Sequence, residues 1–516
     1  MGSPDDVDNH ERTPSSSPPS QQQNTEPSLL DSVKRSPKTV AWCLALSSGI
    51  VLYGYDLVIV GNVSSMPEFQ KDFGRYLNNN LIIPSLWLGL WNIANPLGGI
   101  LGSLTAGTIQ DRFGRRPSLA LASIISAIGV AIAYMSNAPE GKAFRRSIFF
   151  IAKLVQGFAV NMIMCTTQTY ISEILPKVLR GPVLGGFPGF MLLGQLGGSV
   201  VVYLELGEEG KGKGGYKKCF LSQWAFSVIP LIVAVFVPES PAYILRRGRR
   251  RGCRDDDEAW KCQRRLVSSD GDADALLHQI RLSIEHETTT TTTTEATCFA
   301  RPNRLRTTIV LFANLLPTLF GLTLLAKGSY FMQVVGMSAH TSLVFLQVGI
   351  ALGLLANIGG VAMVARFGRV VLTIWGLVVG GLLWMGMGVV SSVSSSREGG
   401  VVIWYTQTSI LLLTITTGLT VWPASYVISG EASSLHLRAK TQGLGWLVNC
   451  LANGVMGLVL PYIFNEDQGA LRGKTGFVYM GFCVLAVGFT WWVVPEMKDL
   501  GVGEIDRLFE LGWRRV

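Results

Sequence analysis

Apolar residues in this chain come in runs of about twenty, each long enough to cross a bilayer. Six runs, at roughly 41 to 63, 86 to 109, 117 to 137, 147 to 169, 183 to 204 and 220 to 237, precede a charged stretch. Six more follow it, at roughly 308 to 332, 341 to 364, 370 to 391, 401 to 429, 441 to 463 and 476 to 494. The pattern predicts an all-α membrane protein of twelve transmembrane helices in two six-helix bundles, over 41–244 and 307–494. Residues 1–40, rich in Ser, Pro, Gln and Asp, bury too little apolar surface to order and are expected to form a disordered tail. Residues 245–306, which include seven consecutive threonines from Thr288, are expected to link the bundles, and 495–516 to form a second tail.

Composition agrees with a chain solvated by lipid. It is 48% hydrophobic and 15% charged, with a mean hydropathy of +0.35, whereas soluble domains carry roughly 25% charge. Basic residues gather at Arg112, Arg115 and Arg116, at Arg246 to Arg251, and at Arg366 and Arg369. The positive-inside tendency puts those connections, the linker and both termini in the cytoplasm. The net charge of +9 then reflects topology and lipid headgroups, not nucleic-acid binding. No cleavable signal precedes Ala41, so the first run is expected to direct insertion. The eight cysteines show no ligand spacing, and neither a disulfide framework, a metal nor a cofactor is expected.

The halves share one plan. Gly114-Arg115 recurs as Gly368-Arg369, Glu173 with Arg180 recurs as Glu431 with Arg438, and Pro238-Glu239 recurs as Pro495-Glu496, all at an offset of about 254 to 258 residues. One offset held by three motifs points to a duplicated six-span unit. Repeats of this kind place a solute site near the midplane between halves and alternate access by rocking.

Those motifs carry a family resemblance. Gly54-Tyr55-Asp56 with Gly61, Gly107-x-x-x-Asp111-Arg112-Phe113-Gly114-Arg115-Arg116, Tyr170-x-Ser172-Glu173-Ile174-x-Pro176 to Arg180-Gly181, and Pro238-Glu239-Ser240-Pro241 together resemble the sugar porter family of the major facilitator superfamily. The C-terminal half resembles the fungal α-glucoside (maltose-type) permeases through Arg438-x-Lys440-Thr441, Pro461-Tyr462, Gly473-Lys474-Thr475-Gly476-Phe477 and Pro495-Glu496-x-Lys498. The resemblance covers about residues 40 to 512 and implies a cytoplasmic gate of Asp111, Arg112, Arg115, Glu173, Arg180, Glu239, Arg369, Glu431 and Arg438, whose ion pairs between bundles form in one state and break in the other. Alternatively these charges only set topology and cap helices. Asp111 has no counterpart in the second half, where the matching position is Ala365.

Three ionisable side chains lie well inside the runs: Asp56, Lys153 and Lys327. A charge at the bilayer centre costs at least about 2.5 to 3.5 kcal/mol, so each needs a partner, neutralisation or a wet cavity. In proton-coupled sugar porters an aspartate stands at the place of Asp56 and an arginine at that of Lys153, so the resemblance implies a proton-coupling pair. A fixed structural pair with passive facilitation is the alternative. Lys327 matches no family residue, and could be a further coupling charge, an anion anchor or a residue snorkelling to the surface.

The resemblance also implies a solute site at Gln195 in span 5, Thr318 and Thr323 in span 7, Tyr426 in span 10, and Asn449 and Asn453 in span 11. Span 7 departs from the family: Gln-Gln-x-x-Gly-x-Asn reads here Pro317-Thr318-Leu319-Phe320-Gly321-Leu322-Thr323, and Pro188 replaces another amide in span 5. A hexose pocket of the usual kind is therefore not expected. The overall expectation is a plasma-membrane proton symporter, not an enzyme, for a small polar solute, a sugar and in particular an α-glucoside. A transporter of a non-sugar metabolite and a non-transporting nutrient sensor are the alternatives. No phosphate-binding loop of an ATP-driven pump is present.

Overall fold

The computed structural model describes residues 33–511, apart from position 35 and the short stretches 64–65, 78–79, 207–214, 252–254, 268, 291–297, 327–338, 394–399, 435–436 and 465–470. Lys327, most of the N-terminal tail and part of the threonine run thus lie outside the described residues. Span 1 is Pro37–Leu46 with Ser48–Val63, span 2 Ser85–Phe113, span 3 Arg115–Met135, span 4 Lys142–Ile174, span 5 Lys177–Gly185 with Phe187–Leu206, and span 6 Gly215–Phe236. The second half repeats the order: span 7 Arg301–Leu319 with Leu322–Ala326, span 8 Ala339–Arg366, span 9 Arg369–Val393, span 10 Gly400–Leu419 with Val421–Ala432, span 11 Arg438–Phe464 and span 12 Thr475–Val493.

Eleven of these are both long and apolar enough to cross a membrane. The twelfth, span 2, has the length, at 29 residues, but its Asn92, Asn95 and Pro96 lower its hydropathy. Span 1 starts at Pro37, four residues before the apolar run, because proline suits the first turn of a helix. Outward-facing Trp375, Trp404, Trp491 and Trp492 are each about two-thirds exposed and suit the lipid boundary. A small hairpin, β1 Arg75–Leu77 with β2 Asn80–Ile82, pairs Arg75 with Ile82 between spans 1 and 2.

Residues 241 to 290 include three helices, Pro241–Arg251, Asp256–Leu266 and Asp270–Thr290. The middle one begins with Asp256, Asp257 and Glu258 and ends with Arg264 and Arg265, which matches its dipole. It is tied to the membrane part by Thr39 Oγ1, which donates to the Leu266 carbonyl at 2.8 Å, and by Arg265, which donates to the Phe236 carbonyl at 2.7 Å. The C-terminal helix Val502–Leu511 docks on span 7 through a buried Arg306–Asp506 ion pair of 2.5 Å.

Four spans are broken, at Ser47, Gly186, Gly321 and Thr420. The break in span 7 has a clear cause. Pro317 removes one backbone donor and Gly321 turns through φ +101°, a conformation that favours glycine. The freed Phe320 carbonyl accepts the Trp384 indole N–H at 3.0 Å, and Trp384 stacks on Tyr479 with centroids 4.7 Å apart. A Cβ on Gly321 would stand 2.6 Å from the Trp384 ring. We expect Trp384→Ala to destabilise the protein by about 3 to 5 kcal/mol and Gly321→Ala to destabilise it as well, both read as a lower thermal midpoint in detergent. Lipid-facing Leu485→Ala should change it little.

Candidate functional site

Asp56 and Lys153 are both buried inside the N-terminal bundle, with Lys153 Nζ 2.8 Å from Asp56 Oδ1. Lys153 also donates to Gln156 Oε1 at 2.5 Å, Gln156 Nε2 donates to Gln223 Oε1 at 3.3 Å, and Gln223 Nε2 donates to Asp56 Oδ1 at 2.9 Å. The four side chains close a ring across spans 1, 4 and 6. Asn95 of span 2 completes it by donating to Asp56 Oδ2 at 2.6 Å. A lysine is a point charge with three donors where arginine would offer a rigid fork, and Gln156 takes up a donor that Asp56 does not. Towards the end of the bundle away from the arginine motifs, the ring is covered by Tyr55, Phe69, Phe73, Trp91, Phe149 and Phe220.

The end that carries the arginine motifs, the basic face, holds two copies of one construction. Arg115 grips Glu173 with two bonds, Nη2 to Oε1 at 2.7 Å and Nε to Oε2 at 3.1 Å. Arg369 grips Glu431 in the same way, at 3.0 and 3.2 Å. In each half a second carboxylate caps the helix that the arginine starts. Glu239 accepts the N–H groups of Arg115 and Arg116 at 2.9 and 3.2 Å, and Glu496 those of Arg369 and Val370 at 2.9 and 3.1 Å. Such capping satisfies donors that a helix start leaves open. The carboxylates occupy the space where a Cβ on Gly114 or Gly368 would stand, and Gly114 has φ +103°. Burial pushes the Glu239 carboxyl above its usual pKa, against the opposing pull of these N–H groups and of Arg115.

These ion pairs lie within each half. Across the seam Arg180 of the first half is attracted electrostatically to Glu431 of the second, and the hydrogen bonds between bundles are of other kinds. Arg438 donates to the Ser172 carbonyl at 2.9 Å, Trp446 Nε1 to Gln168 Oε1 at 2.8 Å, Gln168 to Ser429 Oγ at 3.4 Å, and Asn357 to the Gly185 carbonyl at 3.2 Å. For Arg115 and Arg369 the reason is reach: each starts a helix beside the glutamate of its own half. Arg180 is buried, with one bond to the Leu175 carbonyl at 3.4 Å and its Nε unpartnered. Asp111 is half-buried near Arg115, while Arg112 is exposed and lies over Phe113.

The expected solute residues fall in four places. Thr323 donates to Asn453 at 3.0 Å, Asn453 to Asn449 at 2.9 Å, Asn449 to the Asn314 carbonyl at 3.0 Å, and Asn314 to Ser429 at 2.9 Å. Their polar groups are thus engaged with one another. Tyr426 is buried, with its hydroxyl 3.5 Å from Met191 Sδ and its ring 5.6 Å from that of Phe187. Thr318 is buried and its hydroxyl has no partner. Gln195 instead lines a cleft of about 670 Å³, open mouth included, between spans 5, 7, 8 and 10. The cleft straddles the seam between the halves.

Comparison with known proteins agrees with this architecture. The sequence model of the "Sugar (and other) transporter" family matches residues 42–509. The chain belongs to that family. It is 30% identical over 483 residues to the MFS transporter fmqE of Aspergillus fumigatus, covering 89% of this chain and 84% of that one. It is 26% identical to a general alpha-glucoside permease of Saccharomyces cerevisiae (94% and 77% covered) and to the maltose permease MAL61 of the same yeast (94% and 78%). The fold superposes on the proton:xylose symporter XylE bound to 6-bromo-6-deoxy-D-glucose with a TM-score of 0.77 at 20% identity, covering 92% of this chain and all of that one. The chain is therefore a multi-pass membrane transporter of the major facilitator fold, a sugar porter related to the α-glucoside permeases.

Sequence reading within the family found Asp56 and Lys153 but missed Asn95, Gln156 and Gln223, since a neutral amide in an apolar run reads equally well as packing between helices. Glu496 was legible as the repeat of Glu239. Trp422, which lines the cleft one helical turn from Tyr426, was not.

Removing a partner from a buried pair costs about 3 to 5 kcal/mol, against about 0 to 1 for an exposed one. Glu173→Gln and Glu431→Gln should thus lower the thermal midpoint clearly, and Glu258→Gln, facing the surface residue Arg247, hardly at all. With all other cysteines replaced, labelling of Cys165, whose Sγ lies 3.9 Å from the Ala439 carbonyl across the seam, should rise from the basic face in both gate variants. No rise in either would mean that these charges do not hold the seam closed.

Proposed function

We propose that the chain is a secondary active transporter that couples proton movement to symport of a sugar of the α-glucoside class by alternating access. The basic face and both termini are then cytoplasmic and the membrane is the plasma membrane, as the placement of arginines argues. The observation that carries the reading is the buried ring around Asp56. An ionised carboxylate at that depth is stable only while its donors stay in reach. Sliding span 1 relative to span 4 would strip Lys153 from Asp56 and leave a buried carboxylate without its cation, a charge that a bound proton would cancel; return of the lysine would release it.

A mechanical route to the solute supports the same reading. Spans 1 and 5 touch backbone to backbone: a Cβ on Gly54 would stand 2.0 Å from the Met191 carbonyl oxygen, and one on Gly194 2.0 Å from that of Val51. Gly194 precedes Gln195 in the cleft, and Gly54 is two residues from Asp56. Movement of span 5 on solute binding is thereby passed to the proton site. Retention of the charged pair speaks against a sensor that no longer transports. The names of the permease relatives support a glucoside, and the exchanged span 7 residues argue against glucose itself.

Asp56→Asn should abolish accumulation against a gradient in proteoliposomes while leaving downhill exchange, since a permanently neutral group carries no proton through the cycle. Coupled uptake should be electrogenic, with about 2.3 kcal/mol available per charge at 100 mV. Unchanged, protonophore-resistant accumulation by the variant would refute coupling through Asp56.

Glucose should compete poorly with the true solute. Pro317 offers no side-chain partner and Thr318 only a short hydroxyl. Two unpaired sugar hydroxyls in a dry site cost about 1 to 3 kcal/mol each, or about a hundredfold in affinity together at about 1.4 kcal/mol per tenfold. Restoring Gln at 317 and 318 with Asn at 323 should raise glucose affinity in a competition assay; tight glucose binding by the unmodified protein would place the sugar contacts elsewhere.

A further inference from the structure

The cleft at the seam is poorly suited to a solute that is hydroxylated all round. Of its fourteen lining residues nine are aliphatic or aromatic, one is glycine, and only Gln195, Ser342, Thr414 and Thr417 are polar. The two threonines have used their donors, since Thr414 donates to the Ile410 carbonyl at 2.9 Å and Thr417 to that of Leu413 at 2.7 Å, and can offer a solute only an acceptor. Span 7 divides its own side chains in the same sense. Beyond the break at Gly321, Thr323 turns to Asn453 on span 11, while Leu322 and Leu325 line the cleft. Span 8 adds Phe345, Leu346 and Ile350.

Two polar groups of the cleft make no close hydrogen bond. The Gln195 amide is engaged by no hydrogen bond among the described residues, and Trp422 Nε1 is buried with no partner at close bonding distance, its one polar neighbour being the Tyr426 hydroxyl. Both are set well inside the membrane: Gln195 lies eleven residues short of the end of span 5 at Leu206, and Trp422 begins the second segment of span 10. Ser342 and Phe345, near the start of span 8, are at the opposite end. The cleft is thus a mainly hydrocarbon slot with one amide and one N–H at its floor. A molecule that fills it needs a flat or compact apolar body and a small polar end, and burial of that body is what the walls reward.

We propose that this cleft takes the apolar ring of an amphipathic solute, so that the carried glucoside bears an aromatic or alicyclic aglycone in place of a second sugar. The proposal rests on the transporter reading above and on this cleft as the solute site. The slot draws Leu192 and Gln195 from the first half and its other residues from the second, so its occupant touches both moving parts, as a carried solute must. A lipid tail would fill the hydrocarbon walls but offer nothing to Gln195 and Trp422.

Binding of 4-nitrophenyl α-glucoside, maltose, methyl α-glucoside and 4-nitrobenzyl alcohol to the full-length protein in nanodiscs, measured by thermal shift and by competition, tests this without relying on proton coupling. The nitrophenyl glucoside should bind at least tenfold more tightly than maltose or methyl α-glucoside. Ile350→Thr, which puts a hydroxyl into the wall, should cut that ratio at least threefold. Equal binding of nitrophenyl glucoside and maltose overturns the apolar slot and leaves the sugar reading standing. Equal, tight binding of nitrobenzyl alcohol and nitrophenyl glucoside, with maltose excluded, supports the slot and overturns the glucoside. Binding of none of the four overturns the proposal.

Discussion

A carboxylate at membrane depth has no water to fall back on, so the donors around Asp56 decide how the N-terminal bundle is assembled. Four spans contribute to one oxygen pair: Asp56 itself from span 1, Asn95 from span 2, Lys153 with Gln156 from span 4, and Gln223 from span 6. Displacing any one of them leaves a buried polar group unpaired. The bundle is therefore rigid where the ring holds it and has an incentive to move only when the charge changes. That is the property a coupled carrier requires, because proton binding and helix position become one variable.

The same constraint explains the basic face. Helices that start at Arg115 and Arg369 present open N–H groups just where the membrane ends, and Glu239 and Glu496 close them. The arginine side chains then turn inward to Glu173 and Glu431. Duplication preserved the whole assembly, including the glycine before each arginine, because a Cβ there would displace the capping carboxylate. Since these bonds stay within each half, each bundle has a stiff end at the basic face. The seam itself is closed by hydrogen bonds to neutral groups, such as Arg438 to the Ser172 carbonyl and Trp446 to Gln168, beside the electrostatic attraction of Arg180 for Glu431. Bonds to neutral partners are weaker than buried ion pairs and would suit a contact that opens in the proposed cycle.

In the proposed cycle, solute chemistry and proton chemistry would be kept apart. The charged ring is buried inside one bundle, the cleft opens between bundles, and spans 1 and 5 touch backbone to backbone between them. Where the family carries amides on span 7, this chain has a proline and two threonines, and the break at Gly321 turns what polarity is left towards span 11. A shift in which solutes fit can thus occur with no change to the coupling ring.

The sequence by itself determined the twelve-span plan, the duplication, the buried charges and the ordered motifs of a sugar porter, because each rests on chain-local quantities: run length, repeat offset and the rarity of charge in lipid. It also marked span 7 as altered. Only the tertiary structure decided that Asp56 is held by Asn95, Gln156 and Gln223 as well as by Lys153, that Arg115 and Arg369 bind within their own halves, and that Asn449, Asn453 and Thr323 are engaged with one another while Gln195 and Trp422 face the cleft. Those outcomes depend on which helix faces meet across tens to hundreds of residues of chain. A neutral polar side chain in an apolar run does not reveal whether its partner is another helix or a solute, since both satisfy the same hydrogen-bonding need.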